Sequence, residues 1–164
     1  MPHRIGLGHD IHKLQPGGEL VLGGVVVSTE MSAVAHSDGD VLLHALTDAL
    51  LGAIGAGDIG DHFPPSDDRW KGVGSRLFVE EALKRVCAAG YRVSNADCMI
   101  HAERPKLYPH KAAIRAALEA LLDAPVNVKA GTNEGLDAIG RGEAIAAQVV
   151  VLLEPATAAE NESS

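Results

Sequence analysis

Three features of the sequence predict an α+β fold in which a single mixed β-sheet packs against helices. Strand-like segments and segments with a 3.6-residue apolar period alternate along 164 residues, a length that suits one domain with a real core. An early run, ELVLGGVVV, reads as a hairpin and so breaks the strict alternation of a parallel α/β protein. The last apolar run, Ala144 to Leu153, is nearly unbroken and suggests a strand buried on both faces.

Taken in order, Arg4 to Gly8 reads as a short strand. Gly6 and Gly8 invite comparison with a dinucleotide-binding loop, but neither a third glycine nor an immediate helix follows, so that signal is weak. Asp10 and His12 are two apart in an extended segment, which sends both side chains to one face where they can converge on a metal ion. The hairpin spans Glu19 to Val27, with Gly23 and Gly24 as its two turn residues. Ser37 is placed as the N-cap of the central helix, with Asp40 three residues later giving a capping-box-like start and an end near Ile54. Spacing by four then puts Asp40, His44 and Asp48 in one polar stripe, with Leu42, Leu46, Ala49 and Leu50 on the opposite face. His36 and Ser37 stand at the helix mouth, where free backbone N–H groups favour anions.

GDIGDHFPPSDDRWKG has the composition of a loop and is longer than a simple connection needs. Ser75 to Ala89 reads as an amphipathic helix with Leu77, Phe78, Ala82, Leu83 and Val86 inward and Gly90 as its stop. Tyr91 to Ile100 is a strand, Pro105 to Tyr108 a turn, and Pro109 to Leu122 a helix with proline in its first turn. Val126 to Lys129 is a further strand, followed by the polar loop AGTNEGLDAIGRGE. Residues 1–154 form one domain, and Pro155 to Ser164 reads as a disordered acidic tail.

The net charge of −8 argues against nucleic acid as a partner, so a phosphorylated ligand must be attracted by local cations. Cys87 and Cys98 are too few for a secreted disulfide framework and are not spaced as a metal motif, which fits a reducing cytoplasm. No charged-then-apolar leader precedes the first strand, and no apolar run reaches the roughly 18 residues of a membrane helix.

Read together, Asp10-Ile11-His12, His36-Ser37-Asp38-Gly39-Asp40, His44, ALTDALLGA, GDIG at Gly57 to Gly60, ERPKLYPH at Glu103 to His110 and GRGEAIA at Gly140 to Ala146 form an ordered set. No single piece is specific, but over Arg4 to about Glu154 the set strongly resembles the 2-C-methyl-D-erythritol 2,4-cyclodiphosphate synthase family. The resemblance implies a homotrimer with active sites at subunit interfaces and a phosphorus–oxygen lyase of the non-mevalonate route to isoprenoids. Such an enzyme closes 4-diphosphocytidyl-2-C-methyl-D-erythritol 2-phosphate into the cyclic 2,4-diphosphate and releases CMP. On this resemblance Asp10, His12 and His44 match zinc ligands, and Glu134 matches the ligand of a second cation, Mg²⁺ or Mn²⁺. His36 and Thr132 become the candidates for transition-state stabilisation, and His36 and Ser37 match residues that hold the methylerythritol phosphate end. Asp58 and Gly60 match the ribose contacts, and Phe63 and Asp67 of the adjoining loop are grouped with the substrate-binding residues. Ala102 and Pro105, Lys106 and Leu107 match the cytosine pocket. Gly131 and Asn133 flank the phosphate-binding Thr132, and Arg141 matches an arginine near the phosphates or the trimer axis.

The chemistry of these residue types agrees with the resemblance. Two imidazoles and one carboxylate leave a zinc coordination position open, as catalytic sites do. Joining two phosphate groups is then mainly a matter of positioning and charge stabilisation, with no protein nucleophile. The sequence departs from the family at Pro65, at Gly131 and Asn133 where many members carry threonines, at Ala138 where an aromatic is common, and at His9. Two other readings use the same residues: a zinc-dependent phosphohydrolase, and a ligand-binding trimer without catalysis.

Overall fold

The computed structural model describes residues 1–35, 37–64, 66–70 and 72–156. Strand β1 (Arg4–Pro16) runs antiparallel to β7 (Ala144–Pro155) over Arg4 to Lys13, and its last three residues pair with the short β4 (Met31–Ala33). β7 also pairs antiparallel with β5 (Tyr91–His101), and β5 pairs in parallel with β6 (Val126–Gly131). The five-stranded order β4-β1-β7-β5-β6 is thus a mixed sheet, as expected for the α+β class. The predicted hairpin is a separate ribbon of β2 (Leu20–Leu22) and β3 (Val25–Ser28). Gly23 and Gly24 join its strands at φ 60° and 78°, both positive as a primed two-residue turn requires.

Helices α1 (Val41–Ala53), α3 (Arg76–Ala88) and α4 (Lys111–Leu122) lie against one face of the sheet. Under them the core is built from Val93, Ala96, Cys98 and Ile100 of β5 and Ile145, Ala147, Val149, Val151 and Leu153 of β7. α1 sits unusually close to β1. A Cβ on Gly6 would stand 1.9 Å from the Ala49 carbonyl oxygen, and one on Gly8 would stand 1.8 Å from that of Ala45. The two glycines therefore serve close packing against the alanine stripe Ala45-Ala49-Ala53, which explains why no dinucleotide-type turn follows them.

Five expectations are corrected. β1 extends to Pro16 instead of ending at Gly8, because Asp10, Ile11 and His12 continue the ladder opposite Ala147, Ala146 and Ile145. The N-cap of α1 is Asp40, not Ser37: its Oδ1 accepts from the Leu43 and Gly23 backbone N–H groups, each at 3.0 Å, and its Oδ2 accepts from Gly24 at 2.8 Å. Asp40 is fully buried and turns away from the predicted polar stripe, leaving His44 and Asp48 in it. Burial pushes its carboxyl up to about 6 against the pull of those three N–H groups. Pro109 belongs to a short 3₁₀ turn, Tyr108–His110, and α4 begins two residues later. β7 is buried on both faces only over Ala144 to Ala147; beyond them Gln148 and Val150 face solvent.

At one end of that outer face the short helix Asp137–Gly140 covers Ala144 and Ala146 with Ile139, and the rest carries no helix among the described residues. Ile5, Leu7, Ile11 and Val150 are 75%, 68%, 50% and 45% exposed there. At the C-terminal end β7 runs through Pro155, and the Ala156 N–H donates to the Gly90 carbonyl at 3.0 Å. The remainder of the predicted tail, 157–164, lies outside the described residues, as do Pro65 and His36.

Candidate metal centre

The close seam between β1 and α1 sets the distance from Asp10 and His12 to His44. Asp10 Oδ2 lies 3.0 Å from His44 Nδ1 and 3.1 Å from His12 Nε2, and the two ring nitrogens are 3.0 Å apart. Among the described residues this is the one group of three with metal-ligating atoms so gathered. Donors bound at 2.0–2.1 Å around a tetrahedral ion stand roughly 3.3 Å apart, so the observed triangle fits a divalent cation without rearrangement of the backbone. Burial would raise the Asp10 carboxyl, but hydrogen bonds and charge from His12 and His44 outweigh it and hold the group well below the usual carboxylate range. A carboxylate kept ionised between two imidazoles is a ready cation ligand.

The trio opens on a cavity of about 580 Å³ whose walls include Ser37, Asp48, Gly60, Phe63, Asp67 and Trp70. Both phenylalanines and the single tryptophan of this aromatic-poor chain meet beside it. Phe63 packs 4.8 Å from Phe78 and 5.0 Å from Trp70 between ring centroids, and Phe78 lies 5.9 Å from the His44 ring. Such a wall excludes water from one side of the trio. On the other side Asp48 Oδ1 accepts from the Ile59 N–H at 2.7 Å, which ties α1 to the short α2 (Ile59–His62). Burial raises the Asp48 carboxyl, against the opposing Ile59 hydrogen bond. Asp58 caps α2 and forms a reciprocal capping box with Asp61. Asp67, at the cavity wall, is held by the Arg69 guanidinium at 2.6 Å.

The remaining candidates stand elsewhere in the same chain. Ala102 and Leu107 are buried and Lys106 is exposed, all just beyond β5, with the Ala102 N–H donating to the Gly131 carbonyl at 3.0 Å. Thr132, Asn133 and Glu134 follow β6 directly. Glu134 has φ 53°, Asn133 donates to Asp137 at 3.0 Å, and Arg141, after the short α5 (Asp137–Gly140), is paired with Glu143 at 3.0 Å. β1, β5 and β6 point the same way, so these residues and the metal trio share one end of the sheet. They do not meet. Asp10 is opposite Ala147, Ala147 opposite Ile100 and Ile100 opposite Ala130, and three steps between strands are roughly 14 Å.

The model of the YgbB family matches residues 3–154, nearly the whole folded chain. The chain belongs to the YgbB family. Among curated relatives, the 2-C-methyl-D-erythritol 2,4-cyclodiphosphate synthase of Bordetella avium is 51% identical over 156 residues, covering 93% of this chain and 96% of its own. The enzyme of the same name from Rhodopirellula baltica is 53% identical over 153 residues, covering 92% of each chain. A solved 2C-methyl-D-erythritol-2,4-cyclodiphosphate synthase in its CDP-bound form superposes with a TM-score of 0.86 at 43% identity, over 92% of this chain and all of that one.

In this YgbB chain two polar residues at the centre escape sequence reasoning. Ser75 is fully buried with its Oγ 2.8 Å from His44 Nε2, and its hydroxyl also donates to Asp38. Ser75 reads in sequence only as the first residue of the helix Ser75 to Ala89, and Asp38 only as one member of the motif His36 to Asp40 with no role of its own. Trp70 and Phe78 carried one available signal: they stand among the chain's few aromatics, within 16 residues of Phe63.

Proposed function

We propose that this chain catalyses the closure of 4-diphosphocytidyl-2-C-methyl-D-erythritol 2-phosphate to the cyclic 2,4-diphosphate with release of CMP, in the non-mevalonate route to isoprenoids. The observation that carries the reading is the Asp10–His12–His44 triangle opening on the aromatic-walled cavity, in a chain whose close relatives bear that enzyme's name. The 2-phosphate oxygen attacks the β-phosphorus, the bond to the α–β bridging oxygen breaks, and CMP leaves with that oxygen. This makes the reaction a phosphorus–oxygen lyase step without hydrolysis.

Asp10, His12 and His44 would hold a divalent cation, for which zinc is the reading that two imidazoles and a carboxylate favour, and it would supply Lewis acidity to a phosphoryl oxygen. Glu134 would hold a second, Mg²⁺ or Mn²⁺, which commonly takes one or two protein carboxylates and completes its shell with phosphate and water. Ser37 presents its hydroxyl to the attacking phosphate end, with His36 beside it in sequence. Asp58 and Gly60 take the ribose. Ala102, Pro105, Lys106 and Leu107 form the cytosine pocket, and Gly131, Thr132, Asn133 and Arg141 serve the diphosphate. Phe63 walls the site against water, and Asp67 stands at its mouth.

The roughly 14 Å between the metal trio and the strand that feeds Thr132 and Glu134 supports a composite site, with a neighbouring copy supplying the second half. The largely uncovered sheet face with Ile5, Leu7, Ile11 and Val150 supports the same reading, because a homotrimer would bury such a face. Among the described residues no helix is long and apolar enough to cross a membrane, and a cytoplasmic location fits the two cysteines. The test is to supply the cytidyl substrate in ¹⁸O water and follow products by ³¹P resonance and mass. Cyclic diphosphate and CMP without label are expected; label in either product, or free orthophosphate, would replace the cyclase with the phosphohydrolase. Nucleotide binding without turnover would leave a binding trimer.

A further inference from the structure

We infer that Asp38 and Ser75 form a positioning pair that fixes His44 with its Nε2 protonated and its Nδ1 lone pair presented to the metal centre; the inference rests on that centre being a cation site. Ser75 occupies the N-cap position of α3, yet its side chain makes no cap hydrogen bond. A serine there ordinarily accepts from the second or third helical N–H. Here the hydroxyl points instead to His44 and Asp38, in a position with no exposure to solvent.

The direction of each hydrogen bond follows from counting protons. The Asp38 carboxylate accepts from the Ser75 backbone N–H through Oδ2 at 3.0 Å and from the Asp40 N–H through Oδ1 at 3.2 Å. It also accepts the Ser75 hydroxyl proton through Oδ1. A serine hydroxyl has one proton, so with that proton on Asp38 the Ser75 oxygen can only accept from His44 Nε2, 2.8 Å away. The imidazole must then carry a proton on Nε2, and its Nδ1 is the atom that faces Asp10 Oδ2 and His12 Nε2 at 3.0 Å. A ligating histidine whose far nitrogen donates to a fixed acceptor is held in both tautomer and ring orientation.

Ser37 completes the arrangement. Its Oγ lies 3.1 Å from the same His44 nitrogen and accepts from the Gly39 N–H at 3.3 Å. Its own hydroxyl proton is not taken by Asp38, and it can go to Ser75 Oγ, 3.4 Å away, or toward the cavity that Ser37 lines. The Asp38–Ser75 pair therefore orders one metal ligand.

The test uses the full-length protein with zinc alone as probe. In the zinc-loaded wild type, ¹⁵N–¹H correlation of the ring of His44 should show a slowly exchanging proton on Nε2 and none on Nδ1. Competition against a chromophoric chelator should show Ser75→Ala and Asp38→Asn binding zinc about 10–100-fold more weakly, with thermal melting of the metal-free proteins little changed. Ser75→Thr, which restores a hydroxyl, should recover affinity and the Nε2 proton signal. A proton on His44 Nδ1 in the zinc-loaded wild type overturns the inference whatever the variants do. Wild-type zinc affinity in both Ser75→Ala and Asp38→Asn overturns it as well. Failure of the wild type to bind zinc is a different result, because it removes the cation site itself and the inference with it.

Discussion

Replacing Gly8 by alanine tests whether the metal centre depends on the β1–α1 seam. The new Cβ would stand 1.8 Å from the Ala45 carbonyl oxygen, where ordinary contact begins at 3.4 Å, so helix and strand must separate by about 1.6 Å if neither deforms. Ala45 adjoins His44, and Gly8 is two residues from Asp10 on the same strand face. The same displacement applied to the 3.0 Å Asp10–His44 pair carries it to about 4.6 Å. Two atoms each bound at 2.0–2.1 Å to one ion cannot stand more than about 4.1 Å apart, so one ligand is lost. Overpacking of this kind costs about 1–3 kcal/mol, or a fall in Tm of roughly 2–12 °C for a chain of this size. Zinc affinity should drop by more than the 10–100-fold typical of losing a supporting residue. Gly52→Ala is the control: it lies in the same helix, its Cβ would meet nothing within 4 Å, and alanine there should stabilise by about 0.5–1 kcal/mol. Thermal melts and chelator competition on both variants decide the matter. Unchanged Tm and unchanged zinc affinity in Gly8→Ala would refute the seam as the element that sets the site.

Asp40 makes stability depend on pH in the direction opposite to most carboxylates. Its folded-state value of about 6 lies above the 3.8 of the unfolded chain, so the folded state binds the extra proton between them and stability falls as pH rises through that window. Asp40→Asn should therefore lose stability relative to the wild type by roughly 2 kcal/mol more at pH 4.5 than at pH 7.5; urea midpoints that differ equally at both pH values would sink this. Burial pushes the Cys98 thiol up to about 12, so iodoacetamide under native conditions should leave it unmodified; peptide mass mapping that finds Cys98 alkylated without unfolding would contradict its place in the core. Mixing two inactive variants, His44→Ala and Ala102→Trp, should restore activity in hybrid trimers that assemble one intact composite site. A monomeric mass by light scattering, or no rescue after proven subunit exchange, would count against the composite arrangement.

Most of the fold was legible because its signals are local. The hairpin follows from Gly23-Gly24, the ends of α3 from its apolar spacing and Gly90, and the central strand from the run ending at Leu153. The misreadings arose where a long-range contact outweighed a local preference. Ser37 has the right chemistry for an N-cap, but Asp40 takes that place because one carboxylate there satisfies the first turn of α1 and the buried N–H groups of the β2–β3 turn together. Gly6 and Gly8 looked like a loop signal because their partners, Ala45, Ala49 and Ala53, lie 37 to 47 residues later. A glycine pair at spacing two in a strand and an alanine series at spacing four in a helix describe one seam, visible only when read together.

The site divides along the same line. Asp10 and His12 share a strand face and need only the period of two to be paired, whereas His44 joins them through the seam, which no local pattern announces. Ser75 was invisible for a further reason: as the first residue of a segment that reads as a helix, it carries no site signal of its own. In the structure its hydroxyl makes no cap bond and lies against His44. The residues after β5 and β6 are harder still. Their chemistry suits a nucleotide and its phosphates, but β6 stands three strand-to-strand steps from β1 in the five-stranded sheet, and within the one chain they do not meet the trio. What the single chain does display is the pair of conditions that assembly would meet: unfinished chemistry at one end of the sheet and an uncovered apolar face along its back. In the proposed assembly a cation-binding half-site would gain its missing contacts, and Ile5, Leu7, Ile11 and Val150 would lose their exposure, in the same event.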